Sequence, residues 1–229
     1  SYSFANPGTR TFASDDGKFS SSLSGDGKTT IKSPGDAGSL LYELYVIAPA
    51  MRSEAGVDFA AYMPAAQAKF FAALNDGSDF YDKGPGMTEK GDITSRMSQI
   101  LADDMFNEVD AIARGDRSHA AKLRFTHAEI MMPFAVRMGL KGVDQSVPKA
   151  SNFSYGSNAW RGEYVSPMAG NMQWDVFADG GGKLLVRMLY NEKETDFKAA
   201  CDGAKAAGTA HYYDYTALKA CYGHVACSS

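Results

Sequence analysis

The sequence predicts an α/β fold, helical in its first half and built of strands with flanking helices in its second. Three observations predict it. Ile93, Met97, Ile100, Leu101, Met105, Val109 and Ile112 form one apolar stripe at helical spacing. Two apolar runs, residues 172–177 and 184–190, are joined by Ala178-Asp179-Gly180-Gly181-Gly182-Lys183 and read as a β-hairpin. Between stripe and hairpin, the strand-like Ala121-Lys122-Leu123-Arg124-Phe125 stops at His127-Ala128-Glu129 and passes at once into a helical run.

Taken in order, residues 1–35 are rich in Gly, Ser, Asp and Lys. They carry two turn blocks, Asp15-Asp16-Gly17-Lys18 and Gly25-Asp26-Gly27-Lys28, and predict an arm of short edge strands or irregular turns. A calcium loop is the sharper reading, but the closing Glu of an EF-hand is missing. From Asp36 the pattern turns helical, with Leu40, Leu41, Leu44, Tyr45, Ile47 and Ala48 on one face and Pro49 ending or kinking the helix. Phe59, Met63, Ala66, Phe70, Phe71 and Leu74 predict a second helix, and residues 75–91 read as turns.

The longest helix should span about 93–113, capped by Asp92 and left at Gly115. Its Asp103, Asp104, Glu108 and Asp110 read as a solvated face, since no histidine shares their spacing. A helix over 130–140 holds Pro133 in its first turn, where proline is tolerated. Residues 141–170 are irregular. The second hairpin strand is apolar on both faces apart from Arg187 and should lie inside a covered sheet. Arg187 there needs an acidic side chain or a bound anion. A short helix over 216–221 closes the pattern.

At 229 residues the chain can bury a sizeable core as one large domain or two small ones. A net charge of −4 with no dense Lys/Arg cluster argues against a nucleic-acid surface. No apolar run approaches the roughly 18–20 residues that span a bilayer, so no membrane partner is expected. The opening Ser1-Tyr2-Ser3-Phe4-Ala5-Asn6 lacks the basic start and apolar core of a signal peptide and reads as a mature or cut N-terminus. Cys201, Cys221 and Cys227 lack zinc or redox spacing. Their clustering favours a disulfide stapling the tail to the body in an oxidising compartment, with one thiol left over; three reduced buried cysteines are the alternative.

The chemistry concentrates at His127 and Glu129. A helix N-terminus offers free backbone N–H groups and the positive end of the macrodipole, which attract anions. An imidazole and a carboxyl two residues apart at such a site suit phosphate-ester chemistry. An ordinary helix start with a capping histidine is the plainer reading.

Read with its flanks, this segment resembles the C-terminal motif of the histidine phosphatase superfamily, acid-phosphatase branch. The resemblance is to the multiple inositol polyphosphate phosphatases and the bacterial histidine-type phosphatases similar to them. It rests on Tyr42-Glu43-Leu44-Tyr45-Val46-Ile47-Ala48-Pro49, Asp79-Phe80-Tyr81-Asp82-Lys83-Gly84-Pro85-Gly86 and Lys122-Leu123-Arg124-Phe125-Thr126-His127-Ala128-Glu129. Two further blocks are Trp160-Arg161-Gly162-Glu163-Tyr164-Val165-Ser166-Pro167-Met168 and Leu185-Val186-Arg187-Met188-Leu189-Tyr190-Asn191-Glu192-Lys193-Glu194. Together they span most of residues 36–222.

The resemblance implies a mixed α/β phosphatase core with a mainly helical insertion, the active site lying at the C-terminal ends of the core strands. On that basis residues 1–35 are an irregular arm, 36–116 the insertion, and 117–229 the C-terminal part of the core with a stapled tail. In this family an Arg-His-Gly histidine attacks phosphorus, and water hydrolyses the phosphohistidine. Arginines clamp the phosphate oxygens. Carried over, His127 contacts phosphate and Glu129 is the proton donor to the leaving alkoxide; an acidic optimum follows, since the donor must be protonated. Trp160 and Arg161, in the exposed-looking Asn158-Ala159-Trp160-Arg161-Gly162, are candidate substrate-binding residues, with plain packing the alternative for Trp160. Arg187 and Asn191 read as structural. No metal or cofactor is implied. A Cys201–Cys221 pairing with Cys227 left over fits a periplasmic or secreted enzyme.

The departure is large. Arg-His-Gly is absent, and the other histidines are His119, His211 and His224. Arg10, in Gly8-Thr9-Arg10-Thr11, reads as an arm residue rather than a phosphate arginine. The family's chains are about twice this length, so the family's N-terminal core segment is lacking. The expected partners are therefore a phosphate-ester small molecule and the N-terminal half of the same precursor, carrying Arg-His-Gly. Two other readings stand beside this one: a non-catalytic phosphate- or inositol-phosphate-binding module with the phosphatase fold, and a helical protein unrelated to phosphate. An Arg-His-Gly motif encoded upstream of Ser1 separates the first reading from the second.

Overall fold

Ser33 caps the first helix, its hydroxyl accepting the Asp36 N–H at 3.1 Å, and Pro34 follows in the first turn, where no intrahelical N–H is needed. The computed structural model describes residues 33–56 and 58–225, together with the backbone of four short arm strands. These pair antiparallel, β1 (Tyr2–Ser3) with β2 (Thr11–Phe12) and β3 (Ser21–Leu23) with β4 (Thr29–Ile31). The two Asp-Gly blocks of the arm, Arg10 and Cys227 lie outside the described residues. The chain clusters into two compact units, 1–75 and 76–229.

In the first unit, α1 (Pro34–Ile47) runs into a 3₁₀ turn, Ala48–Met51, and α2 (Arg52–Ala55), so Pro49 redirects the helical path rather than ending it. A 3₁₀ turn, Phe59–Tyr62, is set off by Pro64 from α3 (Ala65–Asp82). The expected second helix is therefore split at its start. At its other end α3 continues through Asn75, Asp76, Gly77 and Ser78, which read locally as turn. The reason is tertiary: Phe80 is fully buried, stacked at 4.4 Å on Phe153 and edge-on to Trp160 at 5.9 Å, and that packing outweighs weak local propensity.

In the second unit, the stripe helix begins later than expected, as a 3₁₀ turn Ser95–Ser98 leading into α4 (Gln99–Ala113). Its Ala102, Phe106 and Val109 are buried, while Ile93, Met97 and Ile100 are 59%, 53% and 81% exposed. The acidic residues are not a solvated face. Asp103 meets His224, Asp104 meets Lys122 and Arg124, Glu108 meets Lys122 and His119, and the buried Asp110 meets Lys219 at 2.7 Å.

α5 (Ala128–Arg137) follows, with Pro133 inside the helix and buried, and Gly139 at φ +65 turns the chain away. Further on come the four-residue α6 (Gly162–Val165) and then the sheet. β5 (Met172–Ala178) pairs antiparallel along the full length of β6 (Leu184–Tyr190). β7 (Lys193–Thr195) and β8 (Tyr212–Asp214) share the other edge of β6 end to end. Asn191 and Glu192, both at positive φ, make the two-residue turn between β6 and β7. Leu184, Val186 and Met188 face the core with Phe106, Phe197 and Tyr213. The other face is half-exposed, so β6 is interior in the sheet but covered on one side only. There Arg187 takes Asp175, its cross-strand partner, at 2.6 Å and Glu194 at 2.8 Å, the acidic solution rather than the anion.

α7 (Tyr215–Tyr222) is capped by the Asp214 carboxylate, which accepts the Ala217 N–H at 2.9 Å. It carries Cys221, disulfide-bonded to Cys201 of the 3₁₀ turn Ala199–Ala204. Closing a loop of this size contributes about 3 kcal/mol.

Asp110 ties α7 to α4. Burial opposes its charge, but the Lys219 ammonium and the Tyr215 hydroxyl, which donates at 2.6 Å, outweigh burial and hold the carboxyl below its ordinary 3.8. The stability this gives is fully present above that ordinary value and is lost as pH falls through the lower folded one. Asp110→Asn should therefore flatten the acid limb of the stability curve below about pH 4. Urea unfolding at stepped pH checks this; an unchanged acid limb would count against the ion pair.

Candidate functional site

His127 takes extended backbone (φ −117, ψ 169) and is the N-cap of α5, with no hydrogen bond from its own side chain to the helix. Its carbonyl accepts the Ile130 and Met131 N–H groups at 3.0 and 3.1 Å. The N–H groups of Ala128 and Glu129 point out of the first turn without an acceptor among the described residues, and both His127 and Glu129 are exposed. The sequence made this end by placing an apolar run, from Ile130 to Ala135, directly after His-Ala-Glu. Met132, Phe134 and Ala135 are buried and anchor the helix, which leaves its first turn open.

A third side chain joins them. Lys83, just past the end of α3, lies with its Nζ 4.0 Å from Glu129 Oε1 and 2.8 Å from Asp79 Oδ1. The Asp79 carboxylate, accepting a hydrogen bond from the ammonium, raises the Lys83 pKa and keeps it charged. Lys83 lies in one of the blocks that carry the resemblance, and the signal for it in the sequence is the Asp79-x-x-x-Lys83 spacing. The turn beyond it is tight. A Cβ on Gly84 would lie 2.8 Å from the Phe80 carbonyl oxygen, and Gly86 sits at φ +60.

Trp160 and Arg161 are placed differently. Trp160 is 1% exposed, edge-on to Phe80 and Phe153, so its ring is core. Arg161 is spent on its own loop, its guanidinium donating to the Asn158, Trp160 and Tyr155 carbonyls and lying 3.5 Å over the Tyr155 ring. Asp76 completes that loop by accepting the Gly162 N–H at 3.1 Å and the Tyr155 hydroxyl at 2.5 Å. Burial raises its carboxyl above the ordinary value despite those bonds. Asn191 likewise braces backbone, its side chain accepting from the Asn171 N–H and donating to the Tyr164 carbonyl.

The structure thus sets Lys83 4.0 Å from Glu129 at an exposed helix start whose cap is His127. A cavity of about 140 Å³ in this unit lies elsewhere, between Asp103, Arg137, Lys198 and His224. Among the described residues no three His, Cys, Asp or Glu side chains gather as a metal site. What the open surface can do is hold an anion against two free N–H groups, an imidazole and an ammonium, with a carboxyl beside it to move a proton.

Comparison with solved structures gives close matches. The crystal structure of a Bifidobacterium longum multiple inositol polyphosphate phosphatase in complex with inositol hexasulfate is 41% identical, with a TM-score of 0.76, over 89% of this chain and 42% of that one. Its apo form matches at 41% identity and a TM-score of 0.77, over 90% and 43%. Its phosphate complex matches at 40% and 0.77, over 89% and 43%. The chain therefore spans less than half the length of the solved phosphatase it resembles. No family model matches it, and no curated protein does.

Proposed function

Because this chain belongs to the histidine phosphatase superfamily, with the multiple inositol polyphosphate phosphatases, we propose that it supplies the proton-donor half of a phosphomonoesterase site. The observation that carries the proposal is Glu129 in the open first turn of α5, two residues from the His127 cap and 4.0 Å from Lys83. In this reading a phosphate group sits against the free N–H groups of Ala128 and Glu129, with His127 and Lys83 as its side-chain donors. A histidine from an Arg-His-Gly motif, absent from these 229 residues, attacks phosphorus. The P–O bond to the leaving alkoxide breaks as Glu129 gives that oxygen its proton, and water then releases phosphate from the histidine.

The solved phosphatase binds inositol hexasulfate and phosphate, which supports an inositol polyphosphate such as phytate as the substrate. The Cys201–Cys221 disulfide supports an oxidising compartment, periplasmic or extracellular. The partner is the polypeptide that brings Arg-His-Gly.

The purified 229-residue chain, given inositol hexakisphosphate, is expected to show no multiple turnover. Turnover is expected only with an Arg-His-Gly polypeptide present. Sustained phosphate release by the chain alone would overturn the division of the site.

A further inference from the structure

The cavity of about 140 Å³ lies at the C-terminal end of α5, away from His127 and Glu129. Gln99 and Asp103 line it from α4, Arg137 from the last turn of α5, Lys198 from the stretch before Cys201, and Tyr222 and His224 from the end of α7. Lys198 can pass here only because residue 139 is glycine, since a Cβ on Gly139 would lie 2.5 Å from Lys198 Cβ. The Cys201–Cys221 disulfide ties the segments that carry Lys198 and Tyr222, so the walls are preformed. We propose that this cavity binds inorganic phosphate in a protonated form, as a site separate from the one at the start of α5.

Hydrogen-bond accounting separates walls from donors. The Tyr222 hydroxyl donates to the Met138 carbonyl at 2.6 Å and accepts the Lys198 N–H at 3.3 Å. The His224 ring nitrogens meet Asp103 at 3.1 Å and Asn107 at 3.2 Å, and its ring stacks on Phe106. Both side chains are therefore wall. The Lys198 ammonium instead lies 4.2 Å over the Tyr222 ring, with no carboxylate or carbonyl acceptor among the described residues. Arg137 gives one N–H to Asp92 at 3.2 Å, an acid that Arg96 already holds at 2.7 Å. Burial and the neighbouring Arg137 push the Lys198 pKa down, a strain that a bound anion relieves. Two cations at a helix C-terminus also suit its macrodipole, but that role leaves the cavity and its buried acceptor unexplained.

That acceptor is Gln99 Oε1. Gln99 Nε2 donates to Asp103 Oδ1 at 2.9 Å, which fixes the amide's orientation and leaves Oε1 buried with no donor among the described residues. An anion that also carries a proton satisfies it. At neutral pH phosphate keeps a P–OH and sulfate keeps none, so sulfate leaves Oε1 unpaired and brings only negative charge beside Asp103. The volume admits one phosphate-sized group and not an inositol ring bearing six of them. The ten residues of α5 span about 15 Å, which sets Arg137 well apart from His127. The proposal stands whether or not the phosphatase reading holds; if both hold, the ligand is that reaction's product.

Titration calorimetry of inorganic phosphate into the 229-residue chain tests this, with Lys83→Ala and His127→Ala in place to remove the side-chain donors at the start of α5. One phosphate should bind per chain, sulfate at least about 10-fold more weakly, and inositol hexakisphosphate should not compete. Adding Lys198→Met, which keeps the apolar stem and removes the charge, should weaken phosphate binding by about 10–100-fold. Adding Gln99→Met instead should lower the preference for phosphate over sulfate by about 10-fold, and it carries the test alone if the Lys198 variant does not fold. No binding, equal binding of sulfate and phosphate, competition by inositol hexakisphosphate, or binding and preference indifferent to both substitutions each overturns the site. Glu129 plays no part in these titrations, so their failure leaves the phosphatase reading untouched, and an inactive completed enzyme leaves the phosphate cavity standing.

Discussion

In the enzyme completed by an Arg-His-Gly polypeptide, Glu129→Gln is expected to slow hydrolysis of inositol hexakisphosphate by roughly 10²–10⁴-fold. Hydrolysis of p-nitrophenyl phosphate should change little. The difference comes from the leaving group. An inositol alkoxide is too basic to depart without a proton, whereas an activated phenolate departs without one. Gln keeps the size and hydrogen-bonding capacity of Glu but has no proton to give. The open first turn of α5 leaves the side chain free of structural duties, with 58% of its surface exposed, so the variant should fold as the parent does. Steady-state rates on both substrates decide the matter. An equal loss on both would mean that Glu129 positions the phosphate rather than protonating the alkoxide, and no loss on either would remove it from the chemistry.

Trp160→Ala is expected to destabilise the chain by about 3–5 kcal/mol, the range for deleting a buried aromatic ring. For a chain of this size that lowers Tm by roughly 6–20 °C. Trp160 is enclosed with Phe80 and Phe153, and its removal leaves a cavity that these rings, held by α3 and by the 141–170 loop, cannot close. Trp160→Phe should cost much less, because the indole Nε1 has no hydrogen-bond partner to lose. Thermal unfolding of both variants checks the packing role. A Trp160→Ala protein with parental stability would return the ring to the substrate-binding surface, where its loop first suggested it belonged.

The parts of the fold legible in the sequence are those governed by neighbours. The β5–β6 hairpin follows from two apolar runs around an Asp-Gly-Gly-Gly turn, in which Asp179 Oδ1 accepts the Gly181 and Lys183 N–H groups at 2.9 and 2.8 Å. The interior place of β6 follows from its apolar run, broken only by Arg187, and the start of α5 from the apolar residues from Ile130 onward. That the tail carries a disulfide follows from cysteines confined to one end of the chain; that it joins Cys201 to Cys221 is decided by the fold. The candidate site was legible for the same reason: His127 and Glu129 are set by one helix start and need no distant residue to place them.

The misread parts depend on distant residues. Asn75 to Ser78 look like turn, yet are helix because Phe80 must reach Phe153. The carboxylates of α4 look solvated, yet each has a partner between 11 and 121 residues away along the chain, from Glu108 with His119 to Asp103 with His224. Trp160 looks exposed between Asn and Arg, yet its ring closes the core.

By itself, then, the sequence determined the helix that begins at His127-Ala128-Glu129, the hairpin, and the family whose order of blocks it shares, because spacing and turn chemistry act over a few residues. Tertiary structure alone brought Lys83 to Glu129, sealed Trp160 and turned Leu123 and Phe125 outward. The physical reason is that burial and charge pairing are decided by whichever side chains meet in space. In the segment before His127, the carboxylates of α4 claim Lys122 and Arg124, while Leu123 and Phe125 are left exposed.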